Sequence, residues 1–215
     1  MTRKLLAATA LLASSVAWTS GAYATVMTVT LSESGFANSV FGPSITGAIS
    51  IGPLSYGTYT VNQVSAQDQS VLGTPGVLNS QSLNVSSSTA GVLTVDIKST
   101  GLVGLNALMD FLSSFAVNLL QGSITTATEM TEINGAPLSS QAFTALGTSV
   151  QNVLLNPGTP FTADEIFTVT DVGGSAGNDN LTIDLSATQI PEPASLALLG
   201  SGLAVIGFLR RRRTA

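Results

Sequence analysis

The sequence predicts a mainly β, antiparallel sandwich-like exported domain, flanked by an N-terminal signal peptide and a single C-terminal transmembrane helix. Three observations carry that expectation. Apolar and hydroxyl side chains alternate with a period of two through the middle of the chain. Glycine- and proline-rich turns separate the alternating runs, and an uncharged apolar stretch lies near each end.

Arg3 and Lys4 form a short basic region, followed by an apolar run over residues 5–16 and a small-residue site at Ala22-Tyr23-Ala24. This three-part layout predicts a secretory signal peptide over residues 1–24, cut after Ala24, with the Sec translocon and signal peptidase as partners. The apolar run is short for a membrane span, which takes about 20 residues. Trp18 is the chain's single tryptophan and lies in this segment.

Residues 25–189 form the predicted exported domain, long enough for one ordinary domain. Met27, Val29 and Leu31 alternate with Thr28, Thr30 and Ser32, and Tyr59 and Val61 with Thr58, Thr60 and Asn62. The same pattern sets Leu93, Val95 and Ile97, then Phe167 and Val169, then Leu181, Ile183 and Leu185 on one face of their strands. Gly42-Pro43, Gly52-Pro53, Asn134-Gly135 and Asn156-Pro157-Gly158 punctuate these runs as turns. Residues 102–121 fit both a helix and a strand; the β-rich surroundings favour a strand with Phe111, Ser113, Phe115, Val117 and Leu119 on one face. The Ser-rich, uncharged tract over residues 79–90 reads as an exposed loop whose hydroxyls would be open to glycosylation.

Charge is unevenly placed. Of the basic residues only Lys98 lies in the domain, against eleven acids, leaving it near −10. Such a surface repels phosphate backbones, so nucleic acid is not an expected partner. With no cysteine and no histidine, disulfides, Ser-His-Asp and Cys-His catalysis, and imidazole or thiolate metal sites are excluded. Carboxylate chemistry and oxygen-ligand metal binding remain.

The run Gly173-Gly174-Ser175-Ala176-Gly177-Asn178-Asp179-Asn180-Leu181 is close to a calcium-binding nonapeptide but has one residue too many and occurs once. Asp179 and Asp184 are therefore weak calcium candidates. The favoured reading is a hairpin turn joining the Phe167 and Leu181 strands, with no metal and no cofactor expected. Asp164-Glu165 would point to opposite faces of a strand, a poor arrangement for acid–base work. Asn84-Val85-Ser86 and Asn180-Leu181-Thr182 match an N-glycosylation acceptor pattern, read here as coincidence. A carbohydrate-binding body would need an aromatic platform, for which Tyr56, Tyr59, Phe143 and Phe161 are the candidates.

The tail, residues 190–215, has three parts. Pro191, Glu192 and Pro193 are followed by an uncharged run over residues 194–209 and then Arg210, Arg211, Arg212 and Arg213. As a helix the run would rise about 24 Å, somewhat under the roughly 30 Å hydrocarbon core, a shortfall that snorkelling arginines can cover. The four arginines set the orientation, with the domain facing away from the cytoplasm. Pro-Glu-Pro, apolar run and basic end together resemble the PEP-CTERM sorting signal. That resemblance implies recognition by exosortase, a membrane-embedded cysteine transpeptidase of exopolysaccharide-producing Gram-negative bacteria. It also implies a membrane-anchored intermediate, cleavage near the motif, and delivery to the cell surface or extracellular matrix, with exopolysaccharide as a further candidate partner. The expected body is non-enzymatic. A carbohydrate- or calcium-binding adhesin, a carboxylate-only hydrolase and a permanently anchored single-span protein stand as alternatives.

Overall fold

The computed structural model describes residues 25–68, 78–103, 107–190 and 199–203. Between residues 25 and 190 these form two antiparallel sheets packed face to face. The strands in chain order are β1 Val26–Glu33, β2 Ser39–Ser44, β3 Ala48–Ile51, β4 Leu54–Tyr56, β5 Tyr59–Asp68, β6 Leu78–Ser87 and β7 Gly91–Leu102. They continue with β8 Met109–Gln121, β9 Ile124–Ile133, β10 Ala136–Phe143, β11 Gly147–Leu155, β12 Phe161–Asp171 and β13 Gly177–Gln189. The first sheet runs β10-β9-β12-β7-β1-β2; the second runs β11-β8-β13-β6-β5-β3, with β4 also on β5. This is the antiparallel sandwich that the alternation predicts.

The reason is visible strand by strand. Met27, Val29 and Leu31, Leu93, Val95 and Ile97, and Phe167 and Val169 all point inward from the first sheet and are fully buried. Tyr59, Val61, Leu83, Val85, Leu181, Ile183 and Leu185 meet them from the second. Phe111 on β8 and Phe161 on β12 lock the layers with an edge-to-face contact, ring centroids 6.1 Å apart. The many threonines and serines between them face outward, where a β-branched or hydroxyl side chain suits a half-exposed pleat.

Three local expectations are corrected. Residues 79–87 are not a loop: β6 is a central strand between β5 and β13. Leu83 and Val85 supply its buried side, while Ser80 turns inward because Glu165 accepts its hydroxyl, so this serine is satisfied without water. Only residues 88–90 keep the exposed, non-strand character expected of the whole tract. Residues 109–121 are a strand, but Leu119 leaves the face of Phe111, Ser113, Phe115 and Val117. A register shift opposite Asn180 and Leu181 changes the phase, and Leu120 packs on the core instead. The glycine-rich run after Asp171 is a turn with Gly173 and Gly174 at positive φ, yet β12 and β13 belong to different sheets, so it arches between layers rather than closing a hairpin. Asn134-Gly135, by contrast, does close the β9–β10 hairpin, both residues at positive φ.

The topology has a consequence for the two ends of the body. β1 begins and β13 ends at the same pole of the sandwich. Thr25 sits there, its hydroxyl donating to Asp68 at 3.1 Å, and Ser99 at the end of β7 donates to the same carboxylate at 2.7 Å. The arch after β12, the β8–β9 turn and the Tyr56–Tyr59 connection lie at the opposite pole.

Candidate functional site

The body hands over to the tail without slack. β13 pairs with β8 down to Gln189 opposite Met109, and the Ile190 N–H donates to the Leu108 carbonyl at 3.2 Å. Pro191, Glu192, Pro193 and Arg210–Arg213 lie outside the described residues, as do residues 1–24 with Ala22 and Ala24. Of the run 194–209, residues 199–203 are described; they are helical and exposed. Among the described residues no helix is long and apolar enough to cross a membrane.

The outer face of the second sheet carries a row of amides across four strands. Asn62 on β5 donates to Asn84 on β6 at 2.8 Å; Asn180 on β13 pairs with Asn84 in register; Asn118 on β8 donates to Asn180 at 3.3 Å. Ser86, Ser82 and Thr182 accept further bonds from the same amides. The first sheet carries a hydroxyl row instead, Ser32, Thr94, Thr168 and Thr128 standing opposite one another on β1, β7, β12 and β9.

Carboxylates occupy the space between the sheets. Glu129, Glu165 and Asp179 are completely buried. Burial pushes the Glu129 carboxyl up to about 8, helped by the nearby charge of Asp179. The backbone N–H groups of Thr182 and Ala116 oppose that rise, but neither Glu129 oxygen reaches hydrogen-bond geometry. Burial raises Asp179 to about 7, and raises Glu165 well above the ordinary range although Ser80 donates to it. The apolar setting favours the protonated form of each, and burial shuts all three away from any solute.

The sequence-derived site candidates separate in space. Asp179 faces inward and Asp184 outward on β13, so they do not share a site. No group of three or more acidic side chains that could hold a metal occurs among the described residues. Asp164 and Glu165 likewise diverge: Glu165 enters the core, whereas Asp164 pairs with Lys98 at 3.3 Å on the outer face. Asp164 is raised to about 6, burial outweighing the lysine, with Asp96 and Glu132 adding to the rise. Tyr56, Tyr59, Phe143 and Phe161 are all buried, so they form no platform. Tyr59 is a structural hub: its hydroxyl bonds the Gly91 and Val169 carbonyls at 2.8 and 3.1 Å and accepts the Asp171 N–H at 3.1 Å. A shallow depression against β3 and β5, lined by Ile49, Ser50, Ser65 and Gln67 among others, contains no carboxylate.

The site is therefore the junction where β13 ends, and it coincides with a match to a known family model. Residues 189–213 match the PEP-CTERM protein-sorting motif. This chain carries a PEP-CTERM sorting signal. The signal implies an exported protein, processed at the membrane with exosortase as its processing partner. No curated protein matches the chain. Among solved structures it is similar to TmCBM61 in complex with β-1,4-galactotriose, at 6% identity over 75% of this chain and 88% of the other, TM-score 0.29. It is also similar to the enzymatically active domain of bacteriophage CBA120 tailspike protein 4, at 12% identity over 68% of this chain and 20% of that one, TM-score 0.30. CBM35 from Paenibacillus barcinonensis is 18% identical over 72% of this chain and 97% of the other, TM-score 0.22. At such TM-scores these likenesses carry no argument about ligand or site.

Proposed function

We propose that this protein is a non-enzymatic component of the cell surface or exopolysaccharide matrix, held at the membrane by its PEP-CTERM tail and then released from it by exosortase. The observation that carries the reading is the placement of the sorting motif, which starts at the last residue of β13. Cleavage there would free an intact sandwich and remove only the tail. The acids with the most altered proton affinity support a non-catalytic body, because Glu129, Glu165 and Asp179 are walled in by both sheets.

The outer faces support contact with a hydroxyl-rich polymer. Amides both donate and accept, so the Asn62, Asn84, Asn180 and Asn118 row offers complementary partners to sugar hydroxyls without a charged group. This row takes the place of the aromatic platform that the fold buries.

The test is the intact mass of the protein from its native host, compared between envelope and medium with and without the sorting enzyme. The reading expects an N-terminus at Thr25 and a C-terminus near the Pro-Glu-Pro, the latter lost when the enzyme is deleted. A mass retaining Arg210–Arg213, confined to the inner membrane in both strains, would instead describe a permanently anchored domain.

A further inference from the structure

The pole from which the tail departs carries an apolar corner. Leu108 and Leu112 on the β8 side, with Val150 and Leu154 on β11, point outward and are 46%, 40%, 62% and 55% exposed. Register places them together: Leu154 stands opposite Asp110, Leu112 opposite Asn152 and Val150 opposite Ser114, so the leucines and valine are diagonal neighbours. Ile190, the last residue before Pro191-Glu192-Pro193, is hydrogen-bonded to Leu108 itself. Of the other exposed large apolar side chains, Phe36, Leu146 and Val172 sit in separate turns at the opposite pole, while Ile45 sits in the β2–β3 turn at the tail's pole, on the far edge of the second sheet from β11.

Chain length fixes what this corner meets once the tail is inserted. Only Pro191, Glu192 and Pro193 separate Ile190 from Ala194, where the apolar run begins. Even fully extended, the four steps from Ile190 to Ala194 reach about 14 Å. The headgroup layer on each side of a bilayer is about 5–8 Å deep. A fully extended linker therefore leaves at most about 6–9 Å between the pole and the headgroup surface, so the pole stays close to the membrane. Leu108 lies one strand from Ile190, and Leu154 one strand further, about 10 Å away.

We propose that the Leu108 and Leu154 end of this corner rests in the lipid headgroup layer while the tail is in the membrane, with Leu112 and Val150 above it on the same face, fixing the sandwich pole-down with its β12–β13 arch outward. The inference rests on tail insertion, as the functional reading does. Thr25 leaves from the same pole, so a precursor still joined to its signal segment presents the same end to the bilayer. The corner contains Asp110 and no cation, and the body is strongly acidic. The contact is consequently apolar and indifferent to salt, rather than an attraction to anionic lipid.

The absence of cysteine in the chain makes the test direct. Full-length protein carrying Leu154→Cys, Thr188→Cys or Val172→Cys, each labelled with an environment-sensitive fluorophore, is reconstituted into phosphatidylcholine vesicles containing a headgroup nitroxide quencher. Thr188 keeps all four apolar side chains intact and guards against damage from replacing Leu154. The proposal expects both corner labels to be quenched severalfold more than the Val172 label, unchanged in high salt. Equal quenching at the three positions in protein that floats with the vesicles overturns it while leaving tail insertion standing. Protein that fails to float removes the insertion reading and this inference together. Corner quenching that appears only after the sorting enzyme is added assigns the corner to that enzyme and overturns the lipid assignment.

Discussion

Glu129 on β9 and Asp179 on β13 are both wholly buried between the two sheets, the Asp179 charge helping to raise the Glu129 carboxyl, with no cation among the described residues bonded to either. Each keeps its proton in the folded chain at pH values where the unfolded chain has lost it. Folding then takes up protons, so their contribution is fully present below the ordinary carboxylate values, 3.8 and 4.5, and is lost as pH rises through about 7 and about 8.

Thermal unfolding between pH 4 and 9 should accordingly show stability falling with rising pH, by about 1.4 kcal/mol per unit for each proton taken up. Glu129→Gln should flatten the slope, leave pH 4 nearly unchanged and raise stability at pH 8 by about 1–3 kcal/mol. A melting temperature that stays level across the window would rule the buried pair out as its source.

Ser80 is the hydrogen-bond donor to Glu165 across the layers. Ser80→Ala leaves that carboxyl without its side-chain partner and should cost about 1–3 kcal/mol in denaturant unfolding. Glu165→Gln keeps a polar partner for the serine and should cost less. Equal losses for the two variants would mean that shape rather than bonding sets the price.

How far the sequence revealed this arrangement depends on the residue. Alternation located the strands around Val29, Val95, Val169 and Ile183 because a half-buried sheet writes its burial directly into the period. Glu129 is in phase with Ala127 and Ile133, Glu165 with Phe167, and Asp179 with Leu181. That phase marks all three as inward, a signal that charge counting obscures. β6 was hidden because its serines and asparagines resemble loop composition, and only pairing with β5 and β13 makes it a strand. The arch after β12 was unreadable for another reason: Gly and Asn permit a turn, but which sheet the next strand joins is a tertiary choice. The sorting signal needed no fold at all, being a linear pattern.

Tyr59 ties three backbone groups of the opposite sheet to β5 through one hydroxyl. Burial raises that hydroxyl to about 12, so it stays protonated across any working pH. Tyr59→Phe preserves the ring's packing but strands the Asp171 N–H and two carbonyls. Chemical denaturation should show a loss of about 1–3 kcal/mol. Hydrogen exchange should report the Asp171 amide as newly unprotected while amides in β8 are unchanged; protection retained at Asp171 would show that another acceptor replaces the phenol.

Lys98 is the one cation of the body, and it stands over Asp164 among Asp96 and Glu132 on the outer face of the first sheet. Its charge lowers Asp164, yet burial still leaves that carboxyl at about 6. Removing the lysine charge with Lys98→Gln therefore sends Asp164 and Asp96 further up. Because a raised acid loses its stabilising contribution as pH climbs, the variant should match the parent near pH 4 and fall below it at pH 7. The deficit should be about 1 kcal/mol, since Lys98 is 42% exposed and solvent screens the pair. Urea unfolding at the two pH values decides the matter. An identical loss at both would assign Lys98 a packing role through its aliphatic stem; a loss confined to pH 7 identifies its charge as what allows an acidic cluster to sit on this face.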